Sequence, residues 1–213
     1  RRRDTRDAGA LRRQGDAPLM RILHCISSMS GGGAERQLAY LARELGGLGW
    51  EVHVALTRRG ENWNRLQHSS AVVHEVATRS AYDAPLFGNL RRIVADVKPD
   101  IIQTWLLQME MLGGLAAIAQ RRPWVFSERA SEGVYPRSLR NVSRRIIARF
   151  ASAIVSNSAA GDRYWRNRLG DRTRRYVIPN GIPLAEIAAA PAETGEENGL
   201  GPRDPLVLFA GRL

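Results

Sequence analysis

Residues 27–38 read SSMSGGGAERQL. Three consecutive glycines, Gly31–Gly33, follow the apolar run RILHCI at 21–26, and a helical pattern starts directly behind them. Glycine lets the backbone turn tightly or approach another group closely, and a helix N-terminus beyond such a turn offers N–H groups to an anion. The stretch therefore predicts a strand, a close-approach loop and a helix, with a phosphate as the candidate guest. A tight turn with no ligand is the competing reading at this point.

Working outward, strand-like apolar runs recur at Val52–Leu56, Ala71–Val76, Ile101–Thr104, Trp124–Ser127, Ala153–Ser156 and Tyr176–Ile178. Between most of them lie segments of helical period. Leu38, Leu41, Ala42 and Leu45 keep the spacing of one buried face before Gly46-Gly47. Leu86, Leu90, Ile93, Val94 and Val97 repeat the device before Pro99, as do Leu112, Leu115, Ile118 and Ala119 before Pro123. Strands alternating with helices predict an α/β fold, a parallel sheet with helices on both faces. Ligands of such sheets bind at the carboxyl ends of the strands.

The 213 residues suffice for one large domain, or one domain and a piece of another. No run of about 18 apolar residues occurs, so a spanning helix is not expected. The formal net charge is +11, nearly all of the positive charge being arginine. That favours anionic partners: nucleotide diphosphates, acidic lipid surfaces or nucleic acid. No helix-turn-helix, zinc-finger or RNA-binding sheet signature supports the last, and no nucleic acid is expected. Cys25 has no partner in the chain and reads as a buried, reduced thiol of a cytoplasmic protein. His24, His53, His68 and His74 show no metal-ligand spacing, so no metal site is expected.

Residues 1–19, arginine-rich and without periodicity, read as a basic disordered tail, and they lack the apolar centre of a secretory signal. The folded domain is expected over 20–190. A Glu-, Gly- and Pro-rich linker follows at 191–205, and LVLFAGRL at 206–213 opens the first strand of a second, truncated domain.

Two ligand-binding readings of the glycines compete. A dinucleotide fingerprint would need a third glycine where Arg36 stands. Thr57-Arg58-Arg59 after the second strand would suit only a ribose 2′-phosphate, which keeps an NADP-type binding module or reductase as the alternative. The other reading rests on several stretches together: GGGAER after the first strand, KPDIIQTW at 98–105, AIVSNS at 153–158, VIPNGIP at 177–183 and FAGRL at 209–213. In this order the chain resembles, over 20–213, a family-4 retaining glycosyltransferase of the GT-B fold.

The resemblance implies two Rossmann-like domains facing across a cleft, the N-terminal one holding mainly the acceptor and the C-terminal one mainly the nucleotide sugar. This chain would be the N-terminal, acceptor-side domain plus the first strand of its partner. It would transfer a sugar from a nucleotide-sugar donor to a glycan or lipid-linked acceptor, in cell-envelope polysaccharide or glycolipid synthesis. By the same resemblance Gly32 and Gly33 approach the donor diphosphate from one side, and Arg212 pairs with it from the other. Leaving-group charge can be stabilised by N–H groups, a helix N-terminus and arginines, so neither metal nor cofactor is expected. Glu35 stands for either acceptor contact or an ordinary first-turn carboxylate.

The sequence departs from its relatives in two places. Where many carry His after the fifth strand, Glu128-Arg129 stand here; arginine is no base at neutral pH. Arg129 is expected to steady a donor or acceptor phosphate with Glu128 orienting it, against the alternative of a surface ion pair. Where many relatives show His-Xaa-His, Gln103 and Trp105 stand, expected at the acceptor side; Trp105 reads as a sugar-stacking platform or a core residue.

Between Pro136 and Phe150 a helical wheel places Arg137, Arg140, Arg144, Arg145 and Arg149 on one half. Leu139, Val142, Ile146, Ile147 and Phe150 take the other. The basic half is expected either to face water or to lie on an anionic membrane surface, making the protein cytoplasmic and peripheral.

Overall fold

A computed structural model describes residues 20–80, 82, 84–129 and 138–191. The chain divides into two compact units, Arg1–Asn180 and Gly181–Leu213. The expected tail, the strand at 206–213 with Arg212, and all of the expected linker but Pro191 lie outside the described residues.

In the first unit seven strands pair in parallel. They are β1 (Arg21–Ser28), β2 (Glu51–Arg58), β3 (Val72–Glu75), β4 (Ile101–Trp105), β5 (Trp124–Glu128), β6 (Ala153–Ser156) and β7 (Arg174–Val177). Each corresponds to a run expected from sequence, β7 beginning two residues earlier than its apolar part. The spatial order is β3-β2-β1-β4-β5-β6-β7, so the direction of winding reverses between β1 and β4.

Helices α1 (Gly33–Gly47) and α2 (Trp63–Gln67) cover one face. The other face is covered by α3 (Ala84–Val97), α4 (Leu106–Ala119), α5 (Leu139–Ala148) and α6 (Ala159–Leu169). Right-handed crossovers dictate this split: connections running outward from β1 toward β3 place their helices on one side, and those running through β4 to β7 on the other. The short helix α7 (Leu184–Ala189) belongs to the second unit and buries none of its residues.

The two cores follow from the two-residue period of the strands. Leu23, Cys25, Ala55, Ile102, Phe126 and Ile154 face the four-helix side; Ile22, Ile26, Val52, Val54, Leu56 and Trp105 face α1 and α2. Helix α4 comes very close to the sheet through Gly113 and Gly114. A Cβ on Gly113 would sit 3.0 Å from Thr104 Cγ2, and one on Gly114 would run into the Trp124 ring. Burial pushes the Cys25 thiol up to about 12, which makes it the inert core group expected.

The orientation of α5 contradicts the wheel. Its buried residues are Asn141, Arg144 and Ala148, and Ile147 packs half-buried on the core as the wheel expected, while Leu139, Val142, Ile146 and Phe150 are exposed. Arg144 therefore lies in the core and not on the solvated basic half where the pattern placed it. Arg137 lies outside the described residues.

The loop after β1 is clamped to the loop after β2. The Met29 N–H donates to the Arg58 carbonyl (3.1 Å), the Asn62 N–H to the Met29 carbonyl (2.8 Å), and the Asn62 side chain to the Ser30 carbonyl. Gly60 makes this possible: a Cβ there would lie 2.8 Å from Met29 O, Ser30 Cα and Ser30 N. Backbone atoms on a clamped loop cannot swing aside as a side chain can. Gly60→Ala is therefore expected to cost about 1–3 kcal/mol, measured as a lowered urea midpoint with unchanged slope. Wild-type stability in that variant would show that the two loops are free to part.

Candidate functional site

The reversal of winding between β1 and β4 opens a crevice at the carboxyl edge of the sheet, because neighbouring connections leave it in opposite directions. Strand β1 delivers Met29–Gly32 to this edge. Strand β4 passes into α4 with no intervening loop, and Leu106 adopts φ +65°, a left-handed conformation costly for a bulky residue. Strand β5 ends there with Glu128, followed by Arg129.

The triple glycine is not there for left-handed backbone. Gly32 is the extended N-cap of α1, with φ −79° and ψ 162°, and Gly31 and Gly33 are not among the positive-φ glycines of the described residues. Two of the three are close-packed: a Cβ on Gly31 would meet the Glu61 carboxylate, and one on Gly32 the Glu35 carboxylate. Gly33 differs, with no other group within 4 Å of where its Cβ would be. No side chain caps this helix, whose first regular bond runs from the Arg36 N–H to the Gly32 carbonyl at 3.2 Å. Its leading N–H groups thus begin beside open space, the geometry that suits an anion.

Glu35 is buried and folds over Gly32, so it is a structural neighbour of the glycine loop as well as a first-turn residue. Gln103 is buried within the sheet and donates to Ser127 Oγ (2.8 Å), one row inside the edge. Trp105 is fully buried on the α1 side of the sheet, which leaves no face for a sugar. Its indole N–H donates to His24 Nδ1 (3.3 Å), and the Arg129 guanidinium lies 4.3 Å over its ring. Of the two readings of Trp105, the geometry matches the core residue, with the added task of carrying Arg129.

Arg129 is half-buried, and its other tie is a bond to Asn180 Oδ1 at 3.1 Å. Burial pulls its pKa down to about 10, so it remains a cation at neutral pH. Its Nε has no partner among the described residues. His24, pushed down to about 3 by burial, is neutral and can accept from Trp105. The result is a column of His24, Trp105 and Arg129 ending in a fixed positive charge at the crevice.

Glu128 is neither an exposed partner of Arg129 nor open to the crevice. It is fully buried on the opposite face, where Oε2 accepts from Arg144 (2.9 Å) and from the Trp165 indole N–H (2.8 Å). Arg144 also donates to Glu110 (2.5 Å), and its guanidinium lies 4.7 Å from the Phe126 ring centroid and 5.0 Å from that of Trp165. This arrangement fixes the end of β5 and with it the backbone from which Arg129 departs, so the role it gives Glu128 is positioning. Sequence reasoning missed Arg144, Glu110 and Trp165, which are 16, 18 and 37 residues from Glu128, and Asn180, quoted only as part of a motif.

Among the described residues, no group of three or more His, Cys, Asp or Glu side chains could hold a metal ion. No helix among them is long and apolar enough to cross a membrane.

Comparison with known proteins supplies the family and the fold. The model of Glycosyltransferase Family 4 matches residues 31–186. The chain belongs to that family. An N-acetyl-D-galactosaminyltransferase of Campylobacter jejuni, named for extending a diNAcBac-PP-undecaprenol-linked glycan, is 25% identical over 206 residues, covering 92% of this chain and 53% of its own. Among solved structures, Anabaena HepE with UDP and glucose superposes with a TM-score of 0.67 at 23% identity, over 78% of this chain and 46% of its own. The galactosyltransferase WaaB of the lipopolysaccharide outer core superposes with a TM-score of 0.59 at 13% identity, over 76% and 46%. The chain thus spans about half the length of the relatives it matches. These likenesses establish the Rossmann-like sheet of a GT-B N-terminal domain, and family membership sets aside the dinucleotide reading.

The buried charges yield a pH prediction. Burial, with Glu128 adding to it, pushes Glu110 from its ordinary 4.5 up to about 7, against the pull of Arg144. A raised carboxyl pKa means that the folded state holds a proton which the unfolded state releases first. Its contribution to stability is full below about 4.5 and is lost as the pH rises through about 7. Glu110→Gln should therefore flatten the decline in unfolding free energy between these limits, measured by urea titration at several pH values. Parallel curves for the two proteins would refute the raised pKa.

Proposed function

We propose that the chain is the acceptor-side half of a glycosyltransferase, working at the cytoplasmic face of a membrane. It moves a sugar from a nucleotide-sugar donor to a glycan or lipid-linked acceptor, with retention at the anomeric carbon, in cell-envelope polysaccharide or glycolipid synthesis. The observation that carries this is the uncapped N-terminus of α1 beside open space at Gly33, in the crevice where Arg129 is held. Family membership supports it, as do the lipid-linked substrate in the name of the Campylobacter relative and the UDP and glucose bound by HepE.

In the reaction a bond forms between an acceptor hydroxyl oxygen and the anomeric carbon, and the bond from that carbon to the diphosphate oxygen breaks. The diphosphate leaves with the electron pair, and the hydroxyl proton is released to it or to solvent. Negative charge grows on the leaving group, and helix N–H groups near Gly32 and Gly33 meet it with donors already oriented. Arg129 adds a cation pre-positioned by Trp105 and Asn180, and Arg212 would add a second from the opposite domain. This charge stabilisation requires no metal or cofactor. Glu35 and Gln103 support the acceptor side from beneath, through the loop and the sheet.

Two outcomes test the proposal. In the complete enzyme, Gly33→Ala should leave the urea midpoint unchanged or slightly raised, since alanine is the better helix former by about 1 kcal/mol. It should nevertheless lower kcat/KM by roughly tenfold or more, through loss of close approach to the diphosphate. Full activity there would move the diphosphate elsewhere. The 213-residue chain alone should transfer no sugar, measured as nucleotide release over many turnovers; sustained release would place the whole reaction within it.

A further inference from the structure

Helix α5 and the turn after it present to solvent four of the five apolar residues that the wheel grouped together, the fifth, Ile147, packing against the core. Leu139, Val142, Ile146 and Phe150 are 86%, 39%, 50% and 65% exposed. At spacings of three, four and four they form one stripe along the helix and the turn that follows it. Beside the stripe, Val142, Arg145, Ile146, Arg149, Arg168 and Leu169 line a cavity of about 180 Å³. It adjoins, through Arg149, Arg168 and Leu169, a larger one of about 410 Å³ completed by Arg172 and Thr173. No carboxylate among the described residues lines either cavity. The neighbouring acids are engaged elsewhere: Asp171 pairs with Arg175 (3.1 Å), and Asp162 with Arg166 (2.7 Å) and Arg175 (3.1 Å).

We propose that α5 and the end of α6 form a docking face for an anionic phospholipid bilayer. The stripe enters the interface and the arginine cavity receives headgroup phosphate. This deepens the reading of a lipid-linked acceptor and rests on it. An apolar stripe flanked by arginines, on a helix with no acidic residue, is the pattern of a helix lying in the membrane interface. Charge of one sign complements a uniformly anionic surface, whereas a protein partner is generally met by a mixed-sign rim. Arginine's planar fork suits a phosphate, and the cavity gathers several at one place.

The test is co-sedimentation of the 213-residue chain at low salt with vesicles of equal parts phosphatidylglycerol and phosphatidylcholine. Vesicles of phosphatidylcholine alone serve as comparison. Binding is expected to the first only, and to weaken as salt is raised. The double variant Ile146→Ser/Phe150→Ser should lose binding. Arg149→Ala/Arg172→Ala should weaken it by about fivefold for each arginine removed. Thermal melting confirms that both remain folded, as surface changes should. Absence of binding by the wild type, or wild-type binding by either folded variant, overturns the proposal. So does a concentration-dependent dimer that Ile146→Ser/Phe150→Ser dissolves, which would make the stripe an interface between copies. Failure on vesicles with a catalytic defect in Gly33→Ala removes this face alone and leaves the transferase reading intact.

Discussion

A single guanidinium buried in an apolar layer constrains much of this domain. Arg144 is 1% exposed, between the Phe126 and Trp165 rings and bonded to two carboxylates that are also buried. A charge in such a place costs several kcal/mol of lost hydration, recovered only with close partners in fixed geometry. Those partners come from α4, β5 and α6, so the cluster ties three elements to α5 at once. Burial of Glu110, with the second carboxylate of Glu128 adding to it, makes Glu110 hold its proton more tightly despite Arg144.

The crevice depends on a second chain of contacts, on the opposite face of the same strands. His24, neutral in the core of β1, accepts from Trp105 at the end of β4, and Trp105 carries Arg129 from the end of β5. Two adjacent strands thus contribute one residue each to hold a cation that leaves the end of a third. Arginine in that place would stabilise an anion without exchanging protons, in keeping with the proposed task of receiving leaving-group charge. Strand ends supply rigid supports, so the guanidinium loses little freedom when it meets a phosphate.

The strands and their alternation with helices were legible because a sheet buried on both faces writes near-continuous apolar runs. The glycine loop was legible as a place but not as a conformation: its torsions are ordinary, and Gly60, on another loop, is the glycine pressed against backbone. The orientation of α5 was not legible, for a definite reason. Periodicity tells which residues share a face, and hydropathy is then used to decide which face is inside. Here Glu110 and Glu128, which no local pattern connects to Arg144, draw that arginine inward and leave four of the five apolar residues outside. The short helix α2 was missed likewise, since Leu66 is the one buried residue in its five. Trp105 was found as a site residue, but its buried ring serves Arg129 and not a ligand.

Helix α5 joins the two ends of the functional reading. One side of α5 carries the apolar stripe and Arg149; the other carries Arg144 to Glu128, the residue before Arg129 in the chain. An ion cluster of this kind is hard to deform by degrees, because lengthening either bond leaves a buried charge partly unpaired. The surface proposed to meet the bilayer and the cation proposed to meet the diphosphate are therefore held in a fixed relation by the same buried contacts. If the acceptor is anchored in a membrane as proposed, that rigidity would set the height and angle at which the crevice meets it, and positioning of this kind is a large part of what catalysis requires. The fold alone does not imply it, since one layered sheet serves many unrelated functions. What would set this chain apart is a charged residue turned inward and an apolar stripe turned out.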